Sequence, residues 1–125
     1  MRDPTNPICR TISTLLSRIG DKWTVLVVTT LGEGPRRFNE LRREIPSVSQ
    51  RMLTLTLRNL ERDGLVSRTV TPSIPPRVDY ELTDIGQSLL KPLSALSRWA
   101  LDHVEEIHAA QDRFDAEADA RAEAA

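Results

Sequence analysis

Apolar and polar positions change period along this chain, and each change marks an element. Between Cys9 and Ile19, the residues Ile12, Leu15, Leu16 and Ile19 recur at i, i+3, i+4, i+7, the spacing of one helix face. Gly20 closes that helix. Asp21 is placed to cap the next element, Lys22 to Leu31, which is apolar nearly all round. Its threonines and valines would suit a strand. Its length and the bracketing by Asp21 and Gly32 favour a helix buried on most sides. Gly32 to Pro35 reads as a turn, and Arg36-Arg37 as a brief extended piece. A short helix follows with Phe38, Leu41 and Ile45 inward and Asn39 as its candidate cap; Pro46 stops it.

The stretch Ser47 to Gly64 is the next helix, and its faces differ in kind. Ser47 or Ser49 can cap it. Ser47 with Gln50 has capping-box spacing, whereas Ser49 as cap would pair Val48 with Leu53 as a staple. Gly64 is placed to end it in a left-handed conformation. Leu53, Leu57 and Leu60 form a buried stripe, and Leu55 and Thr56 fall away from it. Gln50, Arg51, Thr54 and Arg58 lie on another face and can all bond to phosphates or base edges. Arginine reads guanine, glutamine reads adenine, and an unburied Leu55 suits a thymine methyl. An ordinary solvated face would carry similar residues. The short helix, a turn and this long one make a helix-turn-helix arrangement.

Periodicity then switches to two. Leu65 to Thr71 and Arg77 to Leu82 alternate, and Pro72-Ser-Ile-Pro-Pro76 between them cannot stay in a ladder. This predicts a β-hairpin with an irregular tip. A helix pair followed by a hairpin is the order of a winged helix. Arg68 and Arg77 at the shoulders would reach a minor groove or phosphates; the alternative is a plain edge ribbon. Thr83 caps a last helix whose apolar face runs through Ile85, Leu89, Leu90, Leu93, Leu96, Ala100, Val104 and Ile107, with a kink expected at Pro92. That face and the spare surface of the first helix suggest a dimer interface. The expected fold class is therefore α+β, mainly helical: a winged helix-turn-helix domain over residues 1–108 with N- and C-terminal dimerisation helices. Met1 to Pro7 reads as a loose lead-in, and residues 109–125 as an acidic, alanine-rich tail.

Charge sharpens this picture once it is read locally. The 125 residues carry a net charge of −1, which announces nothing. From Arg36 to Arg68, however, eight arginines face four carboxylates, a net of +4, and from Asp102 to Ala125 the net is −6. A phosphate backbone feels the local field, not the total. Cys9 is the only cysteine, so no internal disulfide can form, which fits a reducing cytoplasm. Neither a signal peptide nor a membrane span is expected.

Taken jointly, these residues resemble the HxlR-type family of winged-helix transcription regulators, relatives of the MarR type. The resemblance is carried by Cys9, Gly20-Asp-Lys-Trp-Thr24, Gly34 to Leu41, Ile45 to Thr54, Leu57 to Val66, Pro75 to Thr83 and Gly86, in order over roughly residues 8 to 100. It implies a homodimer built on the first and last helices, with the long arginine-bearing helix in the major groove of double-stranded DNA. It also resolves Lys22 to Leu31 as a helix. Leu55 departs from the polar residue often found at its position, and the acidic tail lies outside the family pattern. The expected function is a sequence-specific regulator on an inverted-repeat operator, a repressor by occupancy, with activation as the open alternative. Gln50, Arg51, Thr54 and Leu55 would read bases, with Ser49 at the start of the helix. Arg36, Arg37, Arg58, Arg68 and Arg77 would mostly hold phosphates.

Two effectors stay open. Some HxlR-type proteins sense electrophiles or oxidants through a cysteine near the first helix, and Cys9 stands at such a position beside Arg10. A reactive thiol needs a lowered pKa; the alternative is a small buried apolar residue. A small-molecule pocket lined by Trp23 or Trp99 is the other option, against both tryptophans being core. No enzyme is expected, since there is no glycine-rich phosphate loop or serine elbow. No metal or other cofactor is expected either: His103 and His108, five apart, fall on different sides of a helix. The rival function is a winged-helix module that binds protein without reading DNA.

Overall fold

The computed structural model describes Asp3 and residues 5–124. The expected lead-in therefore lies partly outside the described residues, as does Ala125 of the tail. The order is α1 (Pro7–Ile19), α2 (Lys22–Leu31), β1 (Arg36–Arg37), α3 (Phe38–Glu44), α4 (Gln50–Arg62), β2 (Val66–Thr71), β3 (Arg77–Leu82) and α5 (Asp84–Ala124). This is a mainly helical winged-helix fold with one small antiparallel sheet of strand order β1-β3-β2.

The chain divides into two units, residues 1–90 and 91–125. In the first, the core is built from α2 to β3. Val27, Val28, Leu31, Leu41, Ile45, Val48, Leu53, Leu57, Leu60, Val66 and Leu82 are all buried. Tertiary burial settles the ambiguous stretch: α2 is a helix, and Asp21 accepts from the Trp23 backbone N–H at 3.3 Å. Its burial covers one side only, with Leu26 42 % exposed. The α1 stripe is different. Leu15 and Leu16 are exposed and Ile12 and Ile19 half-buried, so this apolar face stays largely open. Asn6 caps α1 one turn earlier than the stripe begins, accepting from Ile8 and Cys9.

Two local details correct the pattern. Asn39 lies inside α3 and is not its cap; Arg37 holds that position, and Glu40 reaches back to accept its backbone N–H at 2.9 Å. Thr56 does not fall away from the leucine stripe but is 3 % exposed within it. Leu53, Thr56, Leu57 and Leu60 complete the i, i+3, i+4, i+7 set, and a threonine can occupy it because burial follows position on the wheel.

Gly64 ends the α4 region with φ +76°, the left-handed conformation that costs glycine least. Thr83 donates its hydroxyl to the Gly64 carbonyl at 2.6 Å and accepts from Gly86 at 3.2 Å, joining the hairpin to the start of α5. In the second unit, α5 continues helical through Pro92 and on through the acidic stretch. Leu96, Trp99, Leu101 and Phe114 are exposed on it.

Candidate nucleic-acid interface

The geometry begins at the turn between α3 and α4. Ser47 takes φ +72°, which turns the chain and leaves Ser49 as the cap. The Ser49 hydroxyl accepts from the Met52 backbone N–H at 3.0 Å, and Val48 is buried below it. The Ser47–Gln50 capping box is not formed. The Ser49 hydroxyl proton is still free to be donated. From this start α4 turns Leu53, Leu57 and Leu60 into the core. Gln50, Arg51, Thr54, Leu55 and Arg58 are thereby left exposed together.

These five side chains differ in what they have to offer. Arg51 and Arg58 make no ion pair among the described residues, so their guanidiniums are uncommitted. Thr54 donates its hydroxyl to the Gln50 carbonyl at 2.8 Å, leaving its lone pairs and methyl outward. Leu55, 49 % exposed, is an apolar contact on a face otherwise polar.

Strand register sorts the remaining arginines. Arg36, Tyr80 and Arg68 lie opposite one another across the three strands, as do Arg37, Asp79 and Thr69. Because side chains alternate along a strand, these two rows occupy opposite faces of the sheet. Arg68 and Tyr80 line a groove against Thr54, Leu57, Arg58 and Glu61 of α4. Arg77 pairs with Asp79 at 3.0 Å, and Arg37 stands 3.9 Å from the same carboxylate. Asp79 thus holds two half-exposed arginines at one edge of the hairpin. Only Arg77 shoulders the tip, opposite Thr71; Arg68 sits three residues further in, on the other face. Ile74 projects fully from the tip.

Arg36 is placed differently. Its Nε donates to Glu44 at 2.7 Å, its Nη2 to Glu33 at 3.2 Å, and its Nη1 to the Gly34 and Pro35 carbonyls. The bond and charge of Glu44 hold this guanidinium even more firmly protonated than usual. Four of its five N–H donors are spent on tying the turn to α3. Arg43, which the sequence reading did not single out, is exposed and lines a cleft with Arg37, Asn39 and the proline-rich loop of the hairpin. Its only sequence signal was membership of the basic stretch.

The effector candidates differ in exposure. Cys9 is 8 % exposed in the first turn of α1. Trp23 is half-buried with the Lys22 ammonium 4.6 Å over its ring. Trp99 is not core: it is 55 % exposed and stacks on His103, whose Nδ1 lies 2.8 Å from the Trp99 carbonyl. Among the described residues no group of histidine, cysteine and carboxylate side chains could hold a metal ion, and no helix is long and apolar enough to cross a membrane.

Comparison with known proteins agrees with this geometry. Residues 18–108 match the family described as HxlR-like helix-turn-helix. An HTH-type transcriptional regulator of Methanothermobacter thermautotrophicus is 49 % identical over 88 residues, covering 70 % of this chain and 67 % of that protein. Among solved structures, the redox regulator HypR in its reduced form superposes with a TM-score of 0.72 at 38 % identity, covering 79 % of this chain and 98 % of that one. The reduced form of the transcriptional regulator YodB from B. subtilis gives 0.66 at 36 % identity, covering 72 % and 88 %.

Proposed function

This chain belongs to the HxlR-like helix-turn-helix family, and from that premise we propose that it represses transcription as a homodimer on an inverted-repeat operator. The observation that carries the reading is the exposed face of α4. Gln50, Arg51, Thr54, Leu55 and Arg58 stand together there, and two of them are arginines with no carboxylate partner among the described residues. In this reading α4 enters the major groove. Gln50, Arg51, Thr54 and Leu55 contact base edges; Ser49, Arg58 and Arg68 hold the adjacent backbone. Arg37 and Arg77 reach phosphates from the hairpin edge, giving affinity without sequence information. Arg36 supports the interface from behind.

A dimer is supported by the open apolar face of α1, with Ile8 71 % and Leu16 52 % exposed, and separately by the exposed apolar residues of α5. Two α4 helices then read successive major grooves about 34–36 Å apart. The effector we propose is an oxidant or electrophile acting on Cys9. Similarity to HypR, a redox regulator, supports this; one cysteine per chain limits the product to an adduct, a mixed disulfide or a bridge between subunits.

Selection of bound duplexes from a random pool tests the reading. It should enrich an inverted repeat with half-sites one helical turn apart. A pool that stays random after several rounds would sink it and point to a protein partner.

A further inference from the structure

The last turn of α4 holds an arrangement that the exposed reading face does not use. Asp63 ends the helix with φ −81° and ψ −2°, which puts a carboxylate at the negative end of the helix dipole. Alone, that placement opposes the helix. Arg18, in the last turn of α1, compensates it twice. Its Nη1 donates to the Asn59 carbonyl at 3.0 Å and also to the Asp63 carboxylate. The same Asn59 carbonyl accepts the Asp63 backbone N–H at 3.0 Å. Both side chains are largely withdrawn from water, 18 % and 14 % exposed. Among the described residues this is the only ion pair that joins two helices.

We infer that Arg18 is a positioning residue for operator reading: it fixes the tilt of α4 against α1, and with it the place of Gln50, Arg51 and Thr54. This rests on the DNA-binding reading above. The lever is long. From Asp63 back to Gln50 the helix runs ~20 Å at 1.5 Å per residue. A tilt of about 5° at one end therefore moves the other by roughly 1.7 Å, against a distance window of about 0.5 Å for a hydrogen bond. The leucine stripe holds α4 to the domain by apolar burial, which is non-directional. The bonds from Arg18 add a directional restraint at the helix's last turn. They also link the helix that carries Cys9 to the helix that reads DNA.

The test compares Arg18→Met, Arg18→Lys and, as a stability control at the far end of α1, Asn6→Ala in the full chain. Binding to the selected operator and to a scrambled duplex is measured where all variants are folded. Arg18→Met should bind the operator about tenfold more weakly or worse, the scale of one misread base pair, with scrambled binding and salt slope unchanged. Arg18→Lys should recover most of the loss, and Asn6→Ala should show none. In the DNA-free protein, the amide resonances of Gln50 to Thr54 should shift in Arg18→Met. Operator binding equal to wild type, equal losses on both duplexes, or unmoved resonances would each overturn the inference. A wild type that binds no duplex while those resonances still shift would instead remove the DNA-binding reading, and the operator role of Arg18 with it.

Discussion

At the scale of single residues, the arginines of the basic stretch divide by what already holds them. Arg36 has four of its five N–H donors engaged by Glu33, Glu44 and two carbonyls, whereas among the described residues Arg51 and Arg58 have no carboxylate partner. Arg36→Ala should therefore lower the melting temperature, and Arg51→Ala should leave it within a degree or two while abolishing operator preference. Thermal melts beside binding curves check both halves. Ser49→Ala removes the oxygen that accepts the Met52 N–H and should cost about 1 kcal/mol of stability, read from urea unfolding. Cys9 lies in the first turn of α1 and is nearly buried. Diamide should release the wild-type protein from its operator and leave Cys9→Ser bound; equal release of both would exclude the thiol as sensor. None of these differences between arginines was legible in the sequence. The partners of Arg36 come from its own turn and from α3, that of Arg37 from strand register, and that of Arg77 from the next position on the same face of its own strand.

Among the elements, legibility followed how much each depends on local chemistry. The hairpin, the stop at Pro46 and the cap at Thr83 are set by residues adjacent in sequence, and all stand where the pattern places them. Helix α2 was ambiguous because a run apolar on most sides fits a buried strand or a buried helix, and only packing against α3 and α4 decides. The cap of α3 is hidden from a local reading because Arg37 has no side chain that accepts; Glu40 supplies the acceptor from the first turn of the helix. Thr56 belongs to the buried stripe because burial follows position on the wheel and not polarity. Gly86 shows the same limit. A Cβ there would lie 2.1 Å from the Leu65 carbonyl oxygen, a backbone atom that cannot step aside. Gly86→Ala should thus destabilise, although alanine gains about 1 kcal/mol over glycine by helix propensity. A raised melting temperature in that variant would mean the start of α5 sits differently.

At the scale of the whole molecule, the exposed polar face of α4 is accompanied by exposed apolar residues on α1. Leu16 is 52 % exposed on α1, which is too much large apolar surface to leave beside Ile8 and Leu15 without a partner. Leu16→Asp should shift the protein from dimer to monomer in light scattering and weaken operator binding, while helical circular dichroism is retained. The two charge regions explain why the total charge of −1 conceals a basic stretch: the arginines are concentrated from β1 to β2 and the acids from Asp102 onward. The central claim is that the exposed face of α4 reads DNA. Fluorescence anisotropy with duplex from the chain's own upstream region, titrated at several salt concentrations for wild type and Arg51→Ala, tests it most directly. Tight, steeply salt-dependent binding to one inverted repeat should be found, with Arg51→Ala keeping only the weak, sequence-independent part. Wild type and Arg51→Ala binding every duplex alike, or neither binding at low salt, would contradict it.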